Sequence, residues 1–167
     1  AGPANKQGRI AADNAMGRKS VYRGTLGTSI VRVFGMNLAS TGASEKLLRQ
    51  NNIPHLISYS HSKSHAGYYP GAEMMTIKVI FSPGRGHILG YQIVGAEGVD
   101  KRIDVIATAI RGHMTVFDLE EIDLAYAPPF SAAKDPVNVA GFVAANTLKG
   151  DHDVIHSREL SHRNPET

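Results

Sequence analysis

Cysteine and tryptophan are both absent from these 167 residues. Without cysteine there is no disulfide framework and no thiolate zinc centre, and the chain cannot itself carry out thiol chemistry. No apolar run approaches the roughly 18 residues that a membrane span requires. The polar start also lacks the hydrophobic stretch of a signal peptide. The expectation is a cytoplasmic protein with no membrane partner. Charge of one sign is not concentrated anywhere: the formal net charge is +3, and no stretch gathers lysine and arginine. Nucleic acid is therefore not an expected partner, while a mild basicity is compatible with anionic ligands.

What is present is an ordinary globular composition, 42% hydrophobic and 20% charged, which argues against disorder. The length suits one domain with a real core. The chain opens on Ala1-Gly2-Pro3 without methionine and ends in a polar run from Ser157 to Thr167. That pattern fits either a piece of a longer protein or a processed chain with a frayed tail.

Pro3 suits the first turn of a helix, Ile10, Ala11 and Ala15 give it an apolar stripe, and Gly17 is a natural stop. Residues 18–27 read as a linker. Thr28 to Phe34 reads as a strand. Ser44 and Glu45 open a short helix that ends near Asn51-Asn52, and Ile57 to His61 reads as a second strand. Met75 to Phe81 alternates with period two, Ser82-Pro83-Gly84-Arg85-Gly86 is a turn, and Ile88 to Val94 returns as a hairpin partner. Val99, Ile103, Ile106, Ala107 and Ile110 recur at helical spacing, with Lys101, Arg102, Asp104 and Arg111 at the other positions, and Gly112 ends the helix. Thr115-Val116-Phe117-Asp118 has the form of a capping box. Asp135-Pro136 opens a last helix that turns Val137, Ala140, Ala144 and Leu148 to the core. Strands adjacent in sequence are expected to pair antiparallel with helices packed on the sheet, an α+β fold.

Several motifs that would carry chemistry fail on spacing or context. Gly84-Arg85-Gly86-His87-Ile88-Leu89-Gly90 is one residue too long for a dinucleotide fingerprint and lies between strands rather than before a helix. His61 and His65 are four apart, as are His152 and His156. The first pair runs into a Gly-Tyr-Tyr-Pro loop rather than a helix, so no metal site is expected. No Gly-x-Ser-x-Gly elbow is present, which disfavours hydrolysis.

Two segments stand out. His65-Ala66-Gly67-Tyr68-Tyr69-Pro70-Gly71-Ala72 and Leu124-Ala125-Tyr126-Ala127-Pro128-Pro129-Phe130-Ser131 each set a phenol in a loop stiffened by proline or opened by glycine. Such loops deliver side chains to sites. A tyrosine hydroxyl can donate a hydrogen bond to a developing anion, or support a flavin or a thiolate. The plainer alternative is a ring that packs and a tip that stays wet.

With Gly95 to Ile110 and Ala133-Lys134-Asp135-Pro136, these segments resemble the C-terminal dimerisation domain of the flavin-dependent pyridine nucleotide-disulfide oxidoreductases. The similarity runs over about Ala1 to Gly150, and the branch it points to is that of coenzyme A-disulfide reductase and NADH oxidase. The resemblance implies homodimers whose parent enzyme uses FAD and NAD(P)H, with none bound by this segment alone. Residues 1–17 would be the last helix of a preceding FAD domain, 18–27 a linker, and 28–150 the dimerisation domain. Residues 151–167 would be a linker and the start of a rhodanese domain, on the similarity of Asp153 to Leu160. Tyr68 and Tyr126 would act in the partner subunit's active site, with Tyr126 beside the flavin. Ala4 would touch FAD, and Lys6 and Lys134 would bind coenzyme A. The substrate would be coenzyme A disulfide, a persulfide, polysulfide or oxygen. The Gly-rich nucleotide motifs and the redox cysteine are missing, so the chain alone is expected to be inactive. A stand-alone ligand- or protein-binding module is the alternative.

Overall fold

Residues 1–156 are described by the computed structural model. The centre of the sheet is the hairpin of β4 (Met74–Phe81) and β5 (Ile88–Gly95), joined by the Ser82 to Gly86 turn. Met75, Ile77 and Val79 alternate inward on β4, and Tyr91 and Ile93 do so on β5. Burial of each such aliphatic side chain contributes roughly 1.5–3 kcal/mol, so this face fixes the register. On the far side of β4 lies β3 (Leu56–Lys63), and on the far side of β5 lies β2 (Met36–Gly42), followed at the edge by β1 (Ser29–Val33). The five strands run in the order β1-β2-β5-β4-β3, and every pairing is antiparallel.

The expectation of sequence-adjacent pairing holds for three of the four ladders. β2 departs from it: it pairs with β1 and β5 and not with β3. It is also a strand that the sequence pattern did not announce. Phe34 and Gly35, both at positive φ (47° and 85°), make the two-residue turn between β1 and β2. Positive φ at both central positions is the turn geometry that matches the twist of a hairpin.

Helices cover one face of the sheet. α3 (Val99–Arg111) packs on β2 and β5, and α5 (Pro136–Lys149) packs on β3 and β4 beside α4 (Val116–Glu121). Val99, Ile103, Ile106 and Ala109 form the buried stripe of α3. Ala140, Ala144 and Ala145 are buried on α5, and Ser58 and Ser60 are buried on β3. Small side chains on both elements let helix and strand approach closely. The start of α4 is the expected capping box, with Thr115 and Asp118 each accepting from the other's backbone N–H. Asp135 caps α5 by accepting from the Val137 N–H at 2.9 Å.

α2 (Glu45–Gln50) is capped by Ser44, and its Glu45 pairs with both Lys78 and Arg49. α1 (Gly2–Ala15) buries none of its residues, so the apolar stripe expected there faces no core. The segment from 157 onward, which carries half of the rhodanese-like stretch Asp153 to Leu160, lies outside the described residues.

Candidate functional site

The two tyrosine loops occupy the same end of the sheet, and their phenols meet. Tyr68 Oη and Tyr126 Oη are 3.1 Å apart, within hydrogen-bond range. Both rings remain open to solvent, at 77% and 49% exposure. The hydrogen bond with Tyr126 pushes the Tyr68 phenol above the ordinary tyrosine value; slight desolvation and repulsion from Tyr126 act in the same direction. Tyr68 therefore stays protonated at neutral pH. One hydroxyl of the pair donates to the other, which leaves a second O–H to donate outward. Two linked phenols suit the stabilisation of a developing anion such as a thiolate. Tyr69 is used differently: its ring meets the buried His65 edge-on at 5.7 Å.

The backbone explains why these loops meet. β3 and β4 are joined by residues 64–73, closed at the base by Ser64 N–H to Glu73 O at 2.8 Å and Glu73 N–H to Ser64 Oγ at 3.1 Å. Residues 122–135 connect α4 to α5. Their first half is held by Asn138, whose side-chain amide donates to the carbonyls of Leu119 and Ile122 at 3.0 Å each. The loops touch directly through Ala66 N–H to Ser131 O at 2.9 Å.

Beneath them lies an ion pair. Arg102 is 1% exposed and Asp135 is 2% exposed. Arg102 Nη2 donates to Asp135 Oδ2 and to the Ser64 carbonyl, both at 2.8 Å, and Nε donates to Asp135 Oδ1 at 3.3 Å. Ser131 Oγ also donates to Asp135. Burial pushes the Asp135 carboxyl up. Hydrogen bonds from Arg102, Ser131 and the Val137 N–H, with the arginine charge, outweigh it and hold the group below the usual aspartate value. The helical pattern had put Arg102 among the solvent-facing residues of α3; it is instead fully buried. A signal for this was available, since position 102 stands one turn from Val99 on the same stripe.

The remaining candidates are not gathered at the tyrosines. Lys134 stands over the Phe142 ring at 6.0 Å and lines a hollow of about 210 Å³ with Glu120 and Asp123. Ala4 and Lys6 are exposed on α1. Lys6 lines an open cleft of about 1030 Å³ between α1, residues 21–28 and α3, together with Arg9, Arg23, Arg111 and Asp104. His61 lies on β3 with its Nδ1 3.0 Å from Thr76 Oγ1. Among the described residues no group of three or more His, Asp or Glu side chains gathers as a metal site would require.

The profile of the pyridine nucleotide-disulphide oxidoreductase dimerisation domain matches residues 28–136. The coenzyme A disulfide reductase of Staphylococcus haemolyticus is 38% identical over 142 residues, which are 84% of this chain and 32% of that protein. The crystal structure of reduced Bacillus anthracis CoADR-RHD superposes with a TM-score of 0.92 at 49% identity, over 96% of this chain and 29% of that one. An NAD-dependent persulfide reductase from A. fulgidus gives a TM-score of 0.89 at 39% identity, over 94% of this chain and 29% of that one. The chain thus spans about a third of the length of the curated relatives it matches.

Proposed function

We propose, for a chain that belongs to the pyridine nucleotide-disulphide oxidoreductase dimerisation-domain family, that it completes the active site of an FAD- and NAD(P)H-dependent reductase by supplying a tyrosine pair. The observation that carries this is the 3.1 Å contact between Tyr68 and Tyr126. They lie 58 residues apart in sequence, on separate rigid loops, yet they present one linked pair of phenols to solvent. The parent enzyme is a homodimer in this proposal, and the pair serves the partner subunit. The relatives named for coenzyme A disulfide and for persulfide reduction favour those two substrate classes over oxygen.

The Gly84 to Gly90 segment is not a dinucleotide cradle. Gly84-Arg85-Gly86 turns β4 into β5, and where it meets the start of α4 the Gly86 carbonyl accepts from the Val116 N–H at 2.9 Å, whereas a pyrophosphate site requires a helix N-terminus left open to the ligand. FAD and NAD(P)H, and the redox sulfur, are therefore assigned to other parts of the parent protein, and the chain alone is inactive. Within that assembly Ala4, in the first turn of α1, approaches the flavin, while Lys6 and Lys134 contact the phosphates of coenzyme A, for which a cationic side chain is suited. The exposed face of α1 fits a helix whose packing partner is the FAD domain. Residues 1–17 close that domain in this proposal, 18–27 link it to the dimerisation domain at 28–150, and 151–167 lead toward a rhodanese domain. A cytoplasmic setting belongs to the same proposal; among the described residues no helix is long and apolar enough to cross a membrane.

The test is Tyr126→Phe in the full-length flavoenzyme, assayed for reduction of coenzyme A disulfide and of coenzyme A persulfide. Loss of one positioned hydrogen-bond donor is expected to lower kcat by about tenfold or more, with the dimer intact by sedimentation. Full activity with both substrates would sink the proposal. The open cationic cleft along α1 favours one other reading, a stand-alone binding module. A chain that is monomeric in every context and retains a ligand in that cleft would take its place.

A further inference from the structure

The two tyrosine loops touch through the phenols and through one backbone hydrogen bond, Ala66 N–H to Ser131 O at 2.9 Å, and both are anchored from beneath. Arg102 is the group that touches the bases of both. Its Nη2 donates to the carbonyl of Ser64, where the Tyr68 loop begins, at 2.8 Å, and reaches Ser131 Oγ, where the Tyr126 loop ends, at 3.4 Å. Its Nε and Nη2 hold both oxygens of Asp135, and Nη1 donates to the Gly98 carbonyl at 3.1 Å. One planar guanidinium thus joins the Tyr68 loop, the Tyr126 loop, the start of α3 and the cap of α5. Gly98 makes room for it: a Cβ at this position would meet Nη1 at 2.1 Å, and its φ of +70° already favours glycine. Lys101 adds a second, weaker cation 3.9 Å from Asp135.

We infer that Arg102 is the positioning residue of the tyrosine pair: its fork of donors fixes the Ser64 and Ser131 ends of the two loops relative to each other, and so brings Tyr68 and Tyr126 into hydrogen-bond contact. A buried ion pair is a poor source of net stability, because desolvation offsets most of its attraction. A geometric role accounts for a fork whose three nitrogens all donate, to Ser64, Gly98, Ser131 and Asp135. Lysine cannot replace it, because an ammonium is a point charge without the planar fork. The inference rests on the proposed function only for its catalytic consequence; the geometry it asserts can be tested by itself.

The experiment is the titration of Tyr68 in the 167-residue chain, followed by the ring carbon resonance of ¹³C-labelled tyrosine and assigned with Tyr68→Phe. Tyr126→Phe gives the value of an unlinked Tyr68. Arg102→Lys keeps a cation beside Asp135 and is expected to move the Tyr68 midpoint down to that unlinked value. Ser131→Ala leaves the ion pair in place and loosens only the Tyr126 loop, so the midpoint is expected to fall part of the way. It decides the question if Arg102→Lys does not fold. Leu48→Ala, at a buried position of α2 outside both loops, serves as a destabilised control and is expected to leave the midpoint unchanged. An unchanged midpoint in folded Arg102→Lys, or in Ser131→Ala where Arg102→Lys is unfolded, overturns the inference. So does an equal fall in Leu48→Ala, which would mark general loosening. Should Tyr126→Phe retain full activity in the flavoenzyme, the proposed function fails, and the titration still judges the role of Arg102.

Discussion

Replacing Asp135 by asparagine removes one charge from a pair whose members are both almost completely buried, at 1% and 2% exposure. Asparagine still caps a helix well, so the link to the Val137 N–H survives and the cap itself contributes little to the change. What is lost is the counter-charge of Arg102. Breaking a buried pair by neutralising one partner costs about 3–5 kcal/mol, because an uncompensated charge is left in a low-dielectric place. For a domain of this size each kcal/mol moves Tm by roughly 2–4 °C, so a fall of roughly 6–20 °C is expected at pH 7. The pH dependence has a definite sign. The folded-state value of Asp135 lies below its unfolded value. Its contribution is therefore complete above the unfolded aspartate value of about 3.9 and disappears as pH falls through the folded one. Wild type and Asp135→Asn should accordingly differ by a constant amount from neutral pH down to about 4, then converge in more acidic solution. Urea titrations followed by far-ultraviolet circular dichroism, at one fixed protein concentration, measure this directly. A difference under about 1 kcal/mol at pH 7, or one that does not shrink in acid, would refute the account of the pair as a desolvated charge couple.

Two further substitutions probe the packing of β5. The Tyr91 hydroxyl is buried with no hydrogen-bond partner among the described residues, and burial is the main reason its phenol is pushed well above the ordinary value. Tyr91→Phe is expected to raise stability by about 1 kcal/mol, since it deletes an unsatisfied polar group and leaves the ring in place; a loss of that size in the same urea titration would show that the hydroxyl has a partner. Gly90 is where β5 passes the end of β2, and a Cβ there would meet the Ala43 carbonyl oxygen at 2.0 Å. Gly90→Ala is therefore expected to cost about 1–3 kcal/mol through forced backbone displacement, and a neutral result would mean that this crossing is looser than drawn.

How far the sequence revealed this molecule depends on the range over which each signal acts. The β4–β5 hairpin, the Thr115–Asp118 capping box and the Asp135-Pro136 start of α5 are local devices, and each is where residue pattern placed it. β2 was hidden because Met36 to Gly42 has little of the β-branched character that marks a strand. It is a strand because β1 and β5 supply ladders on both sides, and strand preference depends on neighbours more than on composition. Tyr68 and Tyr126 could be singled out by their Pro/Gly loops and by resemblance, but nothing in the sequence stated that the two hydroxyls would meet. Arg102 was the hardest to see. An arginine within a helix of mixed charge is usually solvated, and only an acid 33 residues away, itself noticed as a helix cap, makes burial tolerable. The residue types that mark a site in sequence are thus the ones at its surface, whereas the group that sets their separation lies beneath, where a charge is favourable only if its partner arrives from another element. The same logic applies to Ala4 and Lys6. Their helix faces no core in this chain, and the roles proposed for them require a surface that this helix does not meet here.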